Sequence, residues 1–320
     1  MSKKPDQRPA SSPSAERSAM LRLRHDLFAC IRNFFAERGY LEVQTPTRIA
    51  APVLEDHIDA IPADGRFLRT SPELHMKRLL AAGAAEKIYQ LGPCFRRGEN
   101  GSRHLSEFTM LEWYRIGATA ADLQTETAEL LRAVADQAGA SPVQRFKEFN
   151  IDFYAGIHTL AVADAFAKFA DGASVHQALA EGEFERILVE RVEPHLGIEQ
   201  PVALTRYPAR MAALAQLCAD DPSCAERWEL YLGGMEIANA FSELTDPAEQ
   251  RRRFEETAEF RRRNGREVYP LDHAFLGALE AGLPPCAGIA LGVDRLLMIL
   301  ANRSSIRDVV PFAGDIGESA

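Results

Sequence analysis

Residues 89–116 read YQLGPCFRRGENGSRHLSEFTMLEWYRI, and their pattern decides the architecture. Residues 89–97 (YQLGPCFRR) read as a strand. Residues 98–104 (GENGSRH) are polar and glycine-bearing, so they predict a loop. Residues 107–116 (EFTMLEWYRI) are again rich in β-branched and aromatic side chains. The whole therefore predicts an antiparallel hairpin with a long, cationic tip.

Around this hairpin the chain alternates helices and strands without a βαβ rhythm. Leu23, Leu27, Ile31 and Phe34 fall at helical spacing, predicting a helix from about Ala19 to Arg38 that Gly39 ends. YLEVQTP (40–46) predicts a strand closed by Pro46, and FLRT (67–70) a further short strand. Pro72–Ala82 predicts a helix with Ser71 as its N-cap. Residues 120–137 predict a helix, and residues 140–200 a mixture of short helical and irregular pieces. Strands are expected at VALTRYPA (202–209) and from about Trp228 to Phe241. A strongly charged helix at 248–264 is expected to be a solvated face. CAGIALGV (286–293) predicts a strand that runs directly into the helix DRLLMILAN (294–302). The class is α+β, with a central antiparallel sheet flanked by helices.

Composition narrows the function. The chain has 320 residues, with 37 basic against 46 acidic side chains and a net charge of −9, which argues against a generic polyphosphate-binding surface. Five cysteines (Cys30, Cys94, Cys218, Cys224, Cys286) form no CxxC pair and no zinc pattern. Such a count fits reduced thiols and a cytoplasmic setting. No apolar run approaches the roughly 18 residues of a membrane span. Residues 1–18 carry basic residues without an apolar segment behind them and are expected to form a disordered tail rather than a signal peptide. Neither GxxxxGK[ST] nor GxGxxG occurs, so nucleotide binding would need another scaffold.

Three segments carry that scaffold: Gly39-Tyr40-Leu41-Glu42-Val43-Gln44-Thr45-Pro46, then Phe95-Arg96 through Phe108-Thr109-Met110-Leu111-Glu112, then Gly288-Ile289-Ala290-Leu291-Gly292-Val293-Asp294-Arg295. In this order they resemble motifs 1, 2 and 3 of the class II aminoacyl-tRNA synthetases. TSPELHMKRLL (70–80), HLSEFTMLEWY (104–114), RYPARMAALA (206–215) and EIANAFSEL (236–244) are similar to lysyl-tRNA synthetase segments. The resemblance covers most of residues 20–312 and is weakest over 140–200, expected to be a variable insertion within one catalytic domain spanning 19–320.

The resemblance implies ATP-dependent activation of an amino acid as its adenylate. Arg96 would hold the α-phosphate and Arg295 the γ-phosphate, a task that suits the planar guanidinium fork. Phe108 would stack on adenine, and His104 and Glu99 would contact ATP. Glu229 and Glu236 would bind Mg²⁺ on the phosphates. Seven residues apart on one strand they would face opposite ways, so a bulge at Gly233-Gly234 is expected to bring them together. Two departures from the family pattern stand out. Gly98 lies where an acid is common, and Leu105-Ser106 replaces the usual Asn-Pro.

A lysine-like substrate carries two ammonium groups, which a pocket must pair with acids. The resemblance places Glu73 at the backbone-side amine and Glu243 at the side-chain ammonium, with Glu112 and Tyr114 in support and Asn239 and Phe241 lining the pocket. An anticodon-binding domain is expected to be absent, because only the tail precedes the first motif. This truncated form resembles the elongation factor P–(R)-β-lysine ligases, which implies (R)-β-lysine as substrate and a lysine ε-amine of elongation factor P as acceptor. Ala290 stands where lysyl-tRNA synthetases have Gly, and its methyl would discriminate β-lysine from α-lysine. The alternatives are a free-standing ligase charging tRNA, an asparagine-synthetase-type relative, for which Glu73 and Glu243 are the wrong charge, and a catalytically inactive regulatory paralogue. A homodimer with Pro46 near its interface is also implied.

Overall fold

A computed structural model describes residues 13–137 and 142–316. Its centre is an eight-stranded sheet. In chain order the strands are β1 (Leu41–Glu42), β2 (Lys87–Phe95), β3 (Glu107–Ile116), β4 (His158–Ala161), β5 (Val202–Pro208), β6 (Cys224–Leu232), β7 (Met235–Ser242) and β8 (Cys286–Gly292). They lie side by side in the order β1-β2-β3-β8-β7-β6-β5-β4. Every pairing from β2 to β5 is antiparallel, and the two edge strands β1 and β4 are added in parallel. The expected hairpin is β2–β3, in register from Lys87↔Arg115 to Phe95↔Glu107.

One face of the sheet carries Leu111, Trp113, Leu230, Ala240, Ile289 and Leu291, all buried in the largest core. Three helices cover it: α1 (Pro13–Glu37), α3 (Ala120–Gln137) and α6 (Val293–Leu300), through Leu27, Ile31 and Phe35, Leu130 and Val134, and Leu297 and Ile299. The other face is polar at its centre. A second core, built by α2 (Glu73–Ala81), α4 (Pro247–Arg263) and α5 (His273–Gly282), closes one end of that face.

Several expectations need correction. Helix α1 starts at Pro13, inside the segment read as tail, because SAERSAM is made of residues that tolerate or favour helix; residues 1–12 lie outside the described residues. The strand expected over 40–46 is only Leu41–Glu42, and of FLRT only Phe67 and Leu68 are strand, within Arg66–Leu68. Helix α2 is capped at Pro72 without a side-chain cap, yet the Ser71 hydroxyl still accepts the Glu73 N–H at 3.0 Å.

Residues 140–200 hold the short helices expected there and are otherwise more regular than expected, although 138–141 lie outside the described residues. They hold a hairpin (Val143–Phe146 with Phe149–Asp152), the edge strand β4 and the helices Val162–Phe169 and Val175–Glu181, which share their own core with Val202, Leu204 and Tyr231. The charged helix α4 is not wholly solvated. Arg261 is fully buried and donates to the carbonyls of Glu55, Ile58 and Glu267 and to Asp59.

The long strand expected over 228–241 is a hairpin of two strands. Gly233 and Gly234 have φ of 58° and 68°, the left-handed pair that a two-residue primed turn requires. A bulge does exist, but next to it: Leu230 pairs with Ala238 and Tyr231 with Glu236, which leaves Ile237 unmatched. The extra residue shifts the register, so that Glu236 and Asn239, three apart, share the face of Glu229 and Tyr231.

Candidate active site

The polar face of the sheet forms the floor of a cavity of about 330 Å³. Its wall includes all fourteen side chains singled out from the sequence: Glu73, Arg96, Glu99, His104, Phe108, Glu112, Tyr114, Glu229, Glu236, Asn239, Phe241, Glu243, Ala290 and Arg295. Strand pairing explains the convergence. Glu112 lies beside Ala290 and Ala290 beside Asn239, while Tyr114 lies beside Gly288 and Gly288 beside Phe241. A period of two then puts all of them on one face.

One end of the cavity is cationic. Arg96, Arg103 and Arg295 gather there around His104, while Arg227 lines the wall beside Asn239 and Glu229. Arg295 donates to the Glu236 carbonyl at 2.7 Å, to the Glu236 carboxylate at 3.3 Å and to the Arg103 carbonyl at 3.4 Å, and it touches His104 Nε2. Burial, then the charges of Arg295, Arg96 and Arg103, lower His104 to about 4. The imidazole is therefore neutral near pH 7 and can accept the guanidinium N–H. Arg96 packs 5.1 Å above the Phe108 ring and lies 3.6 Å from Glu99, and its buried Nε has no partner. A buried N–H without an acceptor is costly, so the cavity is built to receive an anion here.

The two departures from the family pattern have structural accounts. Gly98 turns the chain at φ 78°, a left-handed conformation that suits glycine, and the acid follows as Glu99. Leu105 is fully buried in the main core, and the Ser106 hydroxyl donates to the Ile316 carbonyl at 2.9 Å.

The other end is acidic and buried. The Glu112 carboxylate accepts from the Ser71 hydroxyl at 2.7 Å and from the Tyr114 hydroxyl at 2.8 Å. Burial, then the neighbouring Glu73, push Glu112 up to about 7. Glu73 and Glu243 both contact the ammonium of Lys77, at 2.6 Å for Glu73. Gly288 has no room for a side chain: a Cβ there would lie 2.1 Å from the Tyr114 ring and 2.4 Å from Glu243 Oε1.

Glu229 is more heavily engaged than expected. It accepts from Tyr207, from Tyr231 at 2.8 Å and from Arg227. Tyr207 reaches it through a second irregularity. Arg206 has φ 57°, and the register of β5 slips between Thr205 and Tyr207, which turns Tyr207 onto the site's face. Glu236 is raised by burial and then by Glu229. Among the described residues no three His, Cys, Asp or Glu side chains gather as a metal cage. Magnesium asks for less, since one or two carboxylates plus phosphate oxygens satisfy it. The donors therefore fit a magnesium ion that arrives with a polyphosphate.

Residues that sequence reasoning missed complete the site. Glu55 lines the cavity and is pushed up to about 7, chiefly by burial, with Arg96 opposing. Asp294 accepts the Thr109 N–H at 2.6 Å and Arg24 at 2.6 Å, which ties α1 to the second and third motifs. Lys77 lies behind the acidic end with 1% of its surface exposed. None of these had a cue beyond its residue type.

Comparison with known proteins agrees with the geometry. The model of the tRNA synthetases class II (D, K and N) matches residues 3–315. An elongation factor P–(R)-β-lysine ligase of Proteus mirabilis (strain HI4320) is 40% identical, over 94% of this chain and 96% of that protein. Proteins of the same name from Haemophilus influenzae (strain PittGG) and Pasteurella multocida (strain Pm70) are 39% and 41% identical, with 95% and 94% of this chain and 97% and 96% of theirs covered. The chain therefore belongs to the class II tRNA synthetase family, in the branch whose curated members are the elongation factor P–(R)-β-lysine ligases.

Proposed function

We propose that this protein activates (R)-β-lysine with ATP and transfers it to a lysine ε-amine of elongation factor P. The observation that carries the activation step is the polarity of one cavity: Arg96, Arg103 and Arg295 gathered around His104 in one part, and Glu73, Glu112 and Glu243 clustered in another. An amino acid with two ammonium groups bridges such a cavity in only one sense. Its carboxylate points to the arginines and its amines to Glu73, Glu243 and Glu112.

In the first step the β-lysine carboxylate attacks the α-phosphorus of ATP, the bond to the β-phosphate breaks and pyrophosphate leaves. Arg96 holds the α-phosphate, and its free Nε is the donor for charge that grows there. Arg295, held by Glu236 and the neutral His104, takes the γ-phosphate, and Phe108 stacks on the adenine. Glu236, with Glu229 alongside, would hold Mg²⁺, which neutralises phosphate charge when bound. In the second step the acceptor amine attacks the acyl carbon of the adenylate and AMP leaves. Catalysis is positioning and electrostatics, without a covalent enzyme intermediate. The acceptor is supported by the relatives' name and by their coverage of nearly the whole chain.

We also expect a homodimer. Strand β1 is at the edge of the sheet, with Leu41 at 54% exposure, and Leu21 of α1 is equally exposed. Among the described residues no helix is long and apolar enough to cross a membrane.

The activation step is tested by exchange of labelled pyrophosphate into ATP. Exchange should depend on a lysine-like amino acid and be fastest with (R)-β-lysine. Exchange with aspartate but with neither lysine isomer would overturn the reading.

A further inference from the structure

Among the described residues, Lys77 is a buried cation at the acidic end that no step above uses. It sits on α2, one turn after Glu73, with 1% of its surface exposed, behind the cavity wall rather than in it. Its ammonium touches Glu73 Oε1 at 2.6 Å on its own helix and the Glu243 carboxylate just beyond β7. The other groups that face this cluster are Glu112 and Tyr114 from β3, Cys286 from β8 and the Phe275 ring of α5, 6.0 Å from the ammonium. Glu243 Oε1 has no hydrogen-bond partner and points at the bare Gly288. Each of the two acids therefore spends an oxygen on Lys77 and keeps the other for the cavity.

We infer that Lys77 is a positioning residue for substrate selection, a built-in ammonium that clamps the Glu73 and Glu243 carboxylates at the two amine subsites before the substrate enters. The inference rests on the ligase reading above. Charge matching supports it. With the two ammonium groups of the substrate bound, three ionised carboxylates balance them together with Lys77. Without Lys77, three buried carboxylates would crowd one another, and like charges at such distances take up protons rather than remain ionised. Burial alone would lower the Lys77 ammonium, but Glu243 and then Glu73 outweigh it and raise it, so the charge is permanent. Glu243 is pulled the other way, raised by burial while Lys77 lowers it.

The test is pyrophosphate exchange by Lys77→Met, with KM for (R)-β-lysine and for ATP measured from pH 6 to 8. The expected result is a KM for (R)-β-lysine raised at least twentyfold at pH 7 and a KM for ATP within threefold of the unaltered protein. The amino-acid KM of the variant should also fall more steeply with rising pH, by up to about tenfold per unit more, because the substrate must now displace a proton from the acids. A purely structural lysine would lower the active fraction without moving either KM or its pH slope. If Lys77→Met yields no folded protein, Lys77→Arg carries the test. It keeps the charge but not the reach between the two acids, so the amino-acid KM should rise while its pH slope stays that of the unaltered protein. An unchanged amino-acid KM in either variant would overturn the inference alone. Absence of exchange by the unaltered protein with every amino acid would overturn the ligase reading, and the inference with it.

Discussion

The two ends of the cavity solve opposite problems. At the arginine end the guanidinium groups are held by a mixture of partners, the carbonyls of Glu236 and Arg103, an uncharged His104 and the carboxylates of Glu236 and Glu99, and the Arg96 Nε is left bare. At the acid end the charges are held by a permanent counter-ion, Lys77, and by hydroxyl donors from Ser71 and Tyr114. The first arrangement fixes the guanidinium groups in place and keeps one donor, the Arg96 Nε, free for phosphate. The second keeps buried carboxylates tolerable in a place where burial alone would protonate them. One end should therefore report on ATP and the other on the amino acid, and substitutions should separate cleanly along that line.

The largest effect is expected at the open end. Arg295→Ala should reduce pyrophosphate exchange by about a thousandfold, since donors aimed at developing charge are worth roughly 3–4 kcal/mol each. The loss should appear in kcat and in KM for ATP. A loss confined to the amino-acid KM would break the division of labour. At the buried end, Glu243→Gln should lower kcat/KM for (R)-β-lysine about a hundredfold, the order expected when one partner of a buried charge pair is lost. Tight ATP binding should persist, as calorimetry would show.

Ala290 sharpens the comparison within the acid end, because its methyl stands between Glu112 and Asn239 on the cavity floor. Ala290→Gly should raise activation of α-lysine relative to β-lysine by roughly tenfold or somewhat more, the value of about 1–3 kcal/mol for one methyl in a fitted pocket. Unchanged selectivity would defeat that role.

The pH dependence should differ between the ends too. Glu112 titrates near 7 because burial and Glu73 favour its neutral form. Its folded pKa is raised, so its contribution to stability is present at low pH and lost as pH rises from its ordinary value of 4.5 through about 7. Binding of a diammonium substrate follows the opposite course. The amino-acid KM should fall several-fold from pH 6 to 8 while the ATP KM stays flat. Glu112→Gln should flatten the amino-acid profile. The smallest effect is expected from Tyr207→Phe. It removes one of three donors to Glu229 and should cost about 1 kcal/mol, a few-fold in the Mg²⁺ dependence of exchange.

The sequence showed the cavity better than it showed the means by which the chain builds it. The three motif segments are legible because their residues stand in the chain in the family's order, and the resemblance they carry puts Glu112, Tyr114, Ala290 and their neighbours in one site. The hairpin at Gly233-Gly234 was mistaken for a bulge because two glycines fit either reading until the strand register is known. The true bulge at Ile237 and the left-handed Arg206 carry no compositional mark, although they are what turn Glu236, Asn239 and Tyr207 toward the site. Strand β4 was missed because it is four residues long and pairs with β5, whose register partner for His158 is Val202. Lys77 was missed because a lysine one turn after a glutamate usually marks a solvated helix face. Only the packing of α2 against the sheet buries it.

The central claim is that one cavity both makes the adenylate and presents it to a protein amine. It is tested most directly by incubating the purified protein with ATP, Mg²⁺ and elongation factor P from its own organism, with (R)-β-lysine, α-lysine or no amino acid, and measuring the intact mass of the factor. A gain of one lysyl unit, greatest with (R)-β-lysine and abolished by Arg295→Ala, is the predicted result. An unchanged mass in every tube, with charging of tRNA by the same preparation, would contradict it.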